Sequence, residues 1–370
     1  MKKHIKIAAA VLAGVFILAA CASPAPAPTP AATPAPAAPA ATPEPATPTE
    51  TEEEINYPTR DITVVVPWGA GGGTDLTVRS LAEQMQGPLG TNMPILNMGG
   101  AGGSIGLQDV FDSARDGYRI LGTSMTALAT AQIMGLADVS HTEWYAWNSA
   151  FTPNAIVVRA DSPYETLQDL IDAMAANPGG ITMGSAGPGS SAHVGGVIFA
   201  ENAGVTFNHI PYEGGNAAII ATLGGEVVFN AQLLSELIDH VRSGDLRALA
   251  TLSDEAVEVI GRDGEVIIIP SAGNYVDALR SWLPLGGSFG IMVPRDTPAG
   301  IVNALNEAYA IAVQTDAFHD FADDRGMVVV GMDTVQTDQY LANNAARVGW
   351  TLYDAGLAPN SPGDFGISRP

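Results

Sequence analysis

Several residue types are scarce in this 370-residue chain, and each scarcity narrows what the protein can be. The chain has a single cysteine, Cys21, so it can form no disulfide within itself. Lysine occurs only as Lys2, Lys3 and Lys6. Beyond them the chain carries 13 arginines against 39 aspartates and glutamates, a formal charge of −26. So acidic a protein repels phosphate groups, so nucleic acid and anionic lipid are poor partners for it, and we expect no nucleic acid partner.

The motifs of metal sites and of common enzymes are also missing. The histidines never fall four residues apart, so no zinc site is indicated. The segment from Gly187 to Ser191 reads GPGSS, which is not the G-x-S-x-G elbow of hydrolases. The first glycine-rich segment has Gly69, Gly71 and Thr74 at the positions of the dinucleotide fingerprint, so it lacks the third glycine, and no GK[ST] follows it. We therefore expect no catalysis, no cofactor and no metal, with an enzyme that assembles a Ser-His-Asp site by folding as a distant alternative.

The N-terminus predicts an exported lipoprotein. Three lysines precede an apolar stretch from Ile7 to Ala20, which has the length of a signal-peptide core and is short for a membrane span. Small residues then lead into Cys21, an arrangement typical of lipoprotein signal peptidase sites. We expect residues 1–20 to be removed and Cys21 to become the lipidated first residue. The protein would then be anchored to the outer face of the cell membrane, or on the periplasmic side in a two-membrane cell.

A second N-terminal segment, residues 21–56, is predicted to be a tether. It consists almost entirely of Ala, Pro, Thr, Ser and Glu, and it contains almost nothing that could form a core. High proline content favours extended, semi-rigid segments. Such a segment would hold the folded part away from the membrane.

The remaining residues alternate between strand and helix patterns. The run from Ile62 to Val66 is β-branched and continuous, as in a buried parallel strand, and a helical pattern from Asp75 to Gln86 follows it. Similar pairs recur, among them a strand from Ala155 to Val158 with a helix from Leu167 to Ala176, up to a last helix from Thr337 to Leu352. This alternation predicts an α/β protein with parallel sheets covered on both faces. The folded part is long enough for two lobes.

Glycine clusters follow several predicted strands, at the edge where α/β sheets bind ligands. They read PWGAGGGTD from Pro67 to Asp75, NMGGAGGSIG from Asn97 to Gly106, and GSAGPG from Gly184 to Gly189. Glycine lets backbone N–H groups converge on a ligand, and a following helix adds partial positive charge, so such loops suit anions without lysine or arginine. Tight turns with helix caps at Thr74 or Asp75, and at Ser190 or Ser191, explain the same residues and are compatible with binding. His193, which follows the third cluster, is expected to be structural.

Ordered blocks of sequence from Asp61 to about Pro359 carry a family resemblance. The blocks ITVVVPWGAGGGTD from Ile62, GSAGPGSSAH from Gly184 and HIPYEGGNAAIIATLGGEV from His209 resemble the substrate-binding proteins of tripartite tricarboxylate transporters, the Bug or TctC family. Later stretches agree, including SGDLRALAT from Ser243. Three departures from the family pattern bear on the identity of the ligand: Trp68 replaces a phenylalanine, Glu213 replaces a lysine, and the segment from Gly135 to Ser149 aligns poorly.

The resemblance implies a two-lobed, periplasmic-binding-protein-like (Venus flytrap) fold of mixed, mainly parallel sheets covered by helices. Residues 60–152 plus 290–370 would form lobe 1, and residues 153–289 would form lobe 2. A small carboxylate-bearing solute would bind in the cleft between the lobes, and the loaded monomer would deliver it to membrane permease subunits. The alternative is a solute receptor of an ABC or other importer. Neighbouring genes for a three-component permease would distinguish the two.

The resemblance also implies the residues that contact the solute. One carboxylate would meet the first glycine loop and the other end would meet lobe 2. Tyr212 fits a core aromatic equally well, and Asp75 would repel a ligand carboxylate unless water or a ligand ammonium lies between them. The full predicted set is Trp68, Gly69, Ala70, Gly71, Gly72, Gly73, Thr74, Asp75, Thr123, Ser124, Thr126, Ser185, Ala186, Gly187, Ser190, Ser191, Tyr212, Gly214 and Gly215.

Overall fold

The computed structural model describes residues 56–370. The predicted signal peptide, the predicted lipidation site at Cys21 and all but the last residue of the predicted tether lie outside the described residues. None of the helices within the described part combines the length and the apolar character needed to cross a bilayer.

The described chain begins with strands and helices that build most of a first sheet. In order they are β1 Thr63–Val66, α1 Gly73–Leu89, β2 Ile95–Asn97, α2 Ser104–Phe111, β3 Arg119–Ser124, α3 Met125–Thr130 and β4 Trp144–Pro153.

The middle of the chain builds a second sheet and a separate two-stranded ribbon. Its elements are β5 Ala155–Arg159, α4 Leu167–Ala176, β6 Thr182–Ser185, α5 Ser191–Ala203, β7 Asn208–Pro211, α6 Gly215–Gly224, β8 Phe229–Asn230, α7 Leu234–Arg242, β9 Leu246–Thr251, β10 Val257–Ile260 and β11 Val266–Ile269.

The chain then returns to the first sheet and closes with a long helix. These elements are β12 Gly286–Pro294, α8 Ala299–Ala312, α9 Asp316–Asp324, β13 Val328–Met332 and α10 Thr334–Asp354.

Both sheets are mixed, as expected, and the α/β fold class is confirmed. The first has the order β13-β4-β12-β3-β1-β2 and the second the order β7-β6-β8-β5-β9, while β10 and β11 pair with each other. Pairs among β1, β2 and β3 and among β6, β7 and β8 are parallel. The other pairs within the two sheets are antiparallel, and they involve β4, β12 and β13 in the first and β5 and β9 in the second. Parallel pairing therefore takes a smaller share than the strand-helix alternation predicts.

Helices cover each sheet on both faces, which explains the continuous apolar strands. In β1, Val64 and Val66 point into a core with α1 and α8, whereas Val65 points to the opposite core with α2 and α10. In β5, Ile156 and Val157 divide in the same way between two cores. Because neighbouring side chains on a strand face opposite ways, a strand buried on both faces must be apolar throughout.

The two sheets are joined where β4 runs into β5. Only Asn154 separates these strands, and it is buried. The chain returns to the first sheet through Leu285, whose carbonyl accepts the Asn154 amide at 3.0 Å. Helix α10 packs on both sheets, with Leu341 in a core of the first and Leu352 in a core of the second. The predicted lobe limits, residues 60–152 plus 290–370 and residues 153–289, stay a prediction.

Strand β12 crosses beside β4 so closely that one position tolerates no side chain. The register between them shifts at Phe289 and Gly290, and a Cβ at Gly290 would lie 1.7 Å from the Trp147 carbonyl oxygen. We expect Gly290→Ala to lower the free energy of unfolding by about 3 kcal/mol, because backbone must move to admit the methyl group. Urea unfolding of the ligand-free protein measures this.

Gly224→Ala is the matched control for this substitution. Gly224 ends α6, is exposed, and has open space where a Cβ would stand. Alanine favours helix over glycine by up to about 1 kcal/mol, so this variant should be as stable as wild type or slightly more stable. Equal stability of the two variants would contradict the close β4–β12 packing.

Candidate functional site

A central cavity of about 200 Å3 lies where loops from both sheets meet. It is bordered by the loops that follow β1 and β3 of the first sheet and β6 and β7 of the second. Eleven of the predicted ligand-binding residues line it: Trp68, Gly69, Ala70, Gly72, Thr74, Ser124, Ala186, Ser190, Ser191, Gly214 and Gly215.

The first glycine loop is held in place by a buried carboxylate. Asp75 is 2% exposed and accepts hydrogen bonds from the Gly71 amide at 2.9 Å, from Asn97 at 2.9 Å and from Arg79 at 3.0 Å. Gly71 has φ +81°, which a side chain would strain. Burial raises the pKa of Asp75, but the hydrogen bonds from Arg79, Gly71 and Asn97 outweigh it and leave the pKa below its ordinary value. Asp75 therefore shapes the loop and does not line the cavity.

Other amides of this loop are free to bind a ligand. Within residues 56–370, the amides of Gly69, Ala70 and Gly72 donate to no protein acceptor, and all three residues line the cavity. Gly73, by contrast, donates its amide to Glu236. The indole of Trp68 lies in the cavity wall, and its Nε1 donates to the Thr123 hydroxyl at 3.2 Å.

Ser124, at the end of β3, presents an unsatisfied hydroxyl. Its Oγ is buried without any hydrogen-bond partner, and the residue lines the cavity. Buried hydroxyls are costly to leave unpaired, so an unpaired one in a cavity wall indicates a place for a ligand acceptor or donor.

The second sheet contributes the start of α5. The Ser190 hydroxyl accepts the His193 amide at 3.3 Å, which caps the helix as predicted from its position. The amides of Ser191 and Ala192 have no acceptor within the described part of the chain, and both residues line the cavity. A helix start with free amides attracts anions.

Two stacked histidines support the loop before α5. The rings of His193 and His209 lie 4.2 Å apart, the Gly189 amide donates to His193 at 3.1 Å, and Ser185 hydrogen-bonds His209 at 2.6 Å. Burial, and then the neighbouring His209, lower the pKa of His193 to about 3, and burial lowers that of His209 to about 4. Ser185 and His209 do not form a hydrolase triad. Among the described residues no carboxylate hydrogen-bonds His209 as the third member would, and Ser185 does not line the cavity.

The remaining predicted residues lie around the cavity but not in its wall. Gly187 and Tyr212 line a neighbouring compartment on the other side of Trp68, and the Tyr212 hydroxyl lies 3.3 Å from Glu226. Thr126 lines a separate pocket beside α10, where Asn344 donates to it. The other five residues take part in the supporting hydrogen bonds already described: Gly71, Gly73, Asp75, Thr123 and Ser185.

The structure adds wall residues that the sequence analysis did not name, chiefly from α6, α7 and the residues just before these helices. They are Ala127, Ala192, Glu213, Asn216, Ala217, Gln232, Leu233, Glu236 and Phe289. The wall contains two carboxylates and no arginine, lysine or histidine. Within residues 56–370 no group of three or more His, Cys, Asp or Glu side chains is placed to hold a metal ion.

Comparisons with known proteins agree with this architecture. The sequence profile of the tripartite tricarboxylate transporter family receptors, TctC, matches residues 77–357. The chain belongs to this family. The TctC receptors are solute-binding proteins, which agrees with a cavity lined by residues from both sheets.

Individual relatives support the assignment over most of the chain. The protein BugT of Bordetella pertussis is 29% identical over 310 residues, which cover 81% of this chain and 90% of BugT. The solved periplasmic binding protein BugD has 25% identity and a TM-score of 0.72, covering 82% of this chain and 99% of BugD. MatC from Rhodopseudomonas palustris, solved with bound malate, shares the fold at 22% identity and a TM-score of 0.72, covering 80% of this chain and all of MatC (100%).

The buried histidine pair makes the stability of this TctC receptor sensitive to acid. Unfolded histidine takes up a proton near pH ~6.5, whereas folded His193 does so only near pH 3, so stability is lost as the pH falls below about 6.5. For His193 the loss between pH 7 and pH 5 is about 2 kcal/mol. In His193→Gln this part of the loss should disappear, as urea unfolding of ligand-free protein at the two pH values would show.

Exposed His319 supplies the control for this experiment. His319→Gln should keep the wild-type dependence on pH. A His193→Gln protein that loses as much stability as wild type between pH 7 and pH 5 would show that His193 is not held neutral by its surroundings.

Proposed function

We propose that this TctC receptor is an extracytoplasmic lipoprotein that captures a small carboxylate-bearing solute and delivers it to a tripartite tricarboxylate-type membrane transporter. The proposal is carried by residues from both sheets that line one cavity and whose amides have no acceptor within the described part of the chain. Gly69, Ala70 and Gly72 contribute such amides from the first sheet, and Ser191 and Ala192 from the second.

This arrangement suits an anion in spite of the acidic wall. Backbone amides at a helix start carry partial positive charge and need no counter-ion, so they can hold a carboxylate where arginine and lysine are absent. Each hydrogen bond to a charged group contributes about 1.5–3 kcal/mol. A few such bonds, together with the apolar side of Trp68, are enough for a small acid. The malate bound to MatC supports a carboxylate as the solute.

Binding from both sheets would also explain a receptor function. A solute that touches the loops of β1 and β3 on one side and of β6 and β7 on the other favours the state in which the two halves are close together. A permease that recognises this closed shape would accept loaded receptor and ignore empty receptor. The TctC relatives make a permease of the tripartite tricarboxylate type the expected partner, in preference to an ABC importer.

The first test removes the unpaired hydroxyl of Ser124. Ser124→Ala should reduce affinity by about tenfold or more, because a hydrogen bond to a charged solute is lost. Stability of the ligand-free protein should be unchanged or slightly higher, since this hydroxyl has no partner within the protein. Mass spectrometry of the solute that co-purifies identifies the ligand, and calorimetry measures its affinity.

Ser235→Ala provides a closely matched control. Ser235 is also buried with an unpaired hydroxyl, but it does not line the cavity. Its variant should bind with wild-type affinity. Equal affinities for wild type, Ser124→Ala and Ser235→Ala would place the solute outside this cavity.

The second test concerns the anchor. Cys21→Ala should leave the protein without lipid, because the cysteine thiol is the acyl acceptor at a lipoprotein signal site. We expect the variant to be absent from the membrane fraction and to lack the mass of the acyl chains, both measured after expression in a bacterial host. A Cys21→Ala protein that still fractionates with membranes would refute the anchor, while leaving solute binding as an independent question.

A further inference from the structure

One carboxylate of the protein itself already lies where two helices begin. Glu236, in the first turn of α7, accepts the amide of Gly73, the first residue of α1, at 2.5 Å through Oε1. These two residues are 163 positions apart in the sequence. Helix α7 is also tied to α9 by ion pairs, with Arg242 3.3 Å from Asp324 and Arg325 3.1 Å from Asp239. The hydrogen bond from Gly73 thus joins the first turn of α7 to the start of α1.

The other oxygen of Glu236 lies against the start of α6. A Cβ at Gly215, the first residue of α6, would stand 2.1 Å from Oε2 and 2.3 Å from Nε2 of Gln232. A Cβ at Gly73 would stand 2.9 Å from Oε1. Neither α1 nor α6 has a side-chain cap of its own. Glycine at both positions is what allows one carboxylate to approach two helix starts.

The carboxylate of Glu236 lies at a position where a ligand anion would be expected to bind. Helices of 17 and 10 residues direct the positive ends of their dipoles at it. Oε2 is buried without a hydrogen-bond partner. Burial raises the pKa of Glu236 to about 7, against the lowering effect of hydrogen bonds from Gly73 and Gln232. Above that pH the side chain is mainly ionised, and it then repels a second negative charge beside it.

The rest of the wall offers no positive charge to hold a second anion beside Glu236. Glu236 occupies the Gly73 amide, and the amides without an acceptor among the described residues are those of Gly69, Ala70 and Gly72 and of the start of α5. Glu213 adds a second carboxylate to the wall, and no basic side chain lines the cavity to offset either of them. A second solute carboxylate near Glu236 would therefore meet uncompensated negative charge.

We propose that Glu236 is a specificity-determining residue: it supplies the protein's own carboxylate to the starts of α1 and α6, so the cavity selects solutes with a single carboxylate over dicarboxylates. The proposal deepens the proposed function and rests on it for the solute. The far end of the preferred solute is uncharged.

The first experiment tests the internal carboxylate without any assumption about the solute. Glu236→Ala removes the Cγ methylene and the carboxylate, which acetate matches in size and charge, so acetate should bind the vacated place and raise the melting temperature of this variant. Wild type and Glu213→Ala, which lacks the other carboxylate of the wall, should show a clearly smaller rise, because their Glu236 carboxylate still fills that place. A folded Glu236→Ala protein whose melting temperature acetate raises no more than that of wild type would overturn the internal-carboxylate assignment, whatever the natural solute is.

The second experiment tests selectivity with three probes of equal chain length. Succinate carries a carboxylate at both ends of a four-carbon chain. Succinamate has an uncharged amide at one end, and 4-aminobutyrate has an ammonium group on its fourth carbon. Calorimetry on wild type should show at least tenfold tighter binding of succinamate than of succinate. In Glu236→Gln, which keeps the shape of the side chain, the preference should fall below threefold because succinate binds better.

Each other outcome decides against the proposal. Tightest binding of 4-aminobutyrate by wild type, lost in Glu236→Gln, would mean that Glu236 recognises a solute cation. If wild type and Glu236→Gln discriminate equally between succinamate and succinate, Glu236 does not set specificity. If matched probes from three to six carbons all fail to bind wild type, the proposed carboxylate function fails, while the acetate result on Glu236→Ala still decides the role of the side chain.

Discussion

The hydrogen bonds of one buried residue, Asn154, hold the two halves of the molecule in register. Its backbone amide donates to Leu285 at 3.0 Å and its carbonyl accepts from Leu252 at 2.7 Å, so both connections between the sheets meet at this point. Its side-chain amide donates to the Ala231 carbonyl at 2.8 Å and accepts from the Ser191 hydroxyl at 3.1 Å. Every polar group of Asn154 is thus paired in a place that water does not reach.

This arrangement connects the fold directly to the site. Ser191 begins α5 and lines the cavity, so the residue that joins the sheets also positions a helix start that offers free amides. On the opposite side, Asp75 fixes the first glycine loop through its bonds to Arg79 and Asn97. Recognition by backbone amides requires such support, because an amide has no flexible side chain with which to adjust its position.

Parts of this structure follow from local sequence alone. The continuous run TVVV predicts a strand buried on both faces, and Leu167 to Ala176 forms the expected helix with its predicted limits, capped by Thr166 and Asp169. The glycine loops after β1 and β6 are equally local signals, since glycine after a buried strand permits a tight turn into a helix. Most residues predicted from these loops do line the cavity.

What the sequence could not reveal depends on distant contacts. Strand β4 was not predicted, because its buried Asn148 and Ser149 break the apolar pattern. Only tertiary contacts accommodate these side chains: the Ser149 hydroxyl donates to the Phe289 carbonyl, and Nδ2 of Asn148 donates to the Met332 sulfur. Glu236 lies on a helix with a clear apolar face, where a glutamate is ordinarily solvent-exposed. Only the approach of α1 turns it into part of the site.

The place of Trp68 in the wall has a practical consequence. Among the tryptophans of the described residues it alone borders the central cavity, whereas Trp144 and Trp147 are fully enclosed in the first sheet. Its indole N–H already has a partner in Thr123, so an arriving solute changes the water and the charge around the ring without displacing that bond. We therefore expect the ultraviolet fluorescence of this indole to change when a solute binds, which would make the receptor its own unlabelled optical sensor.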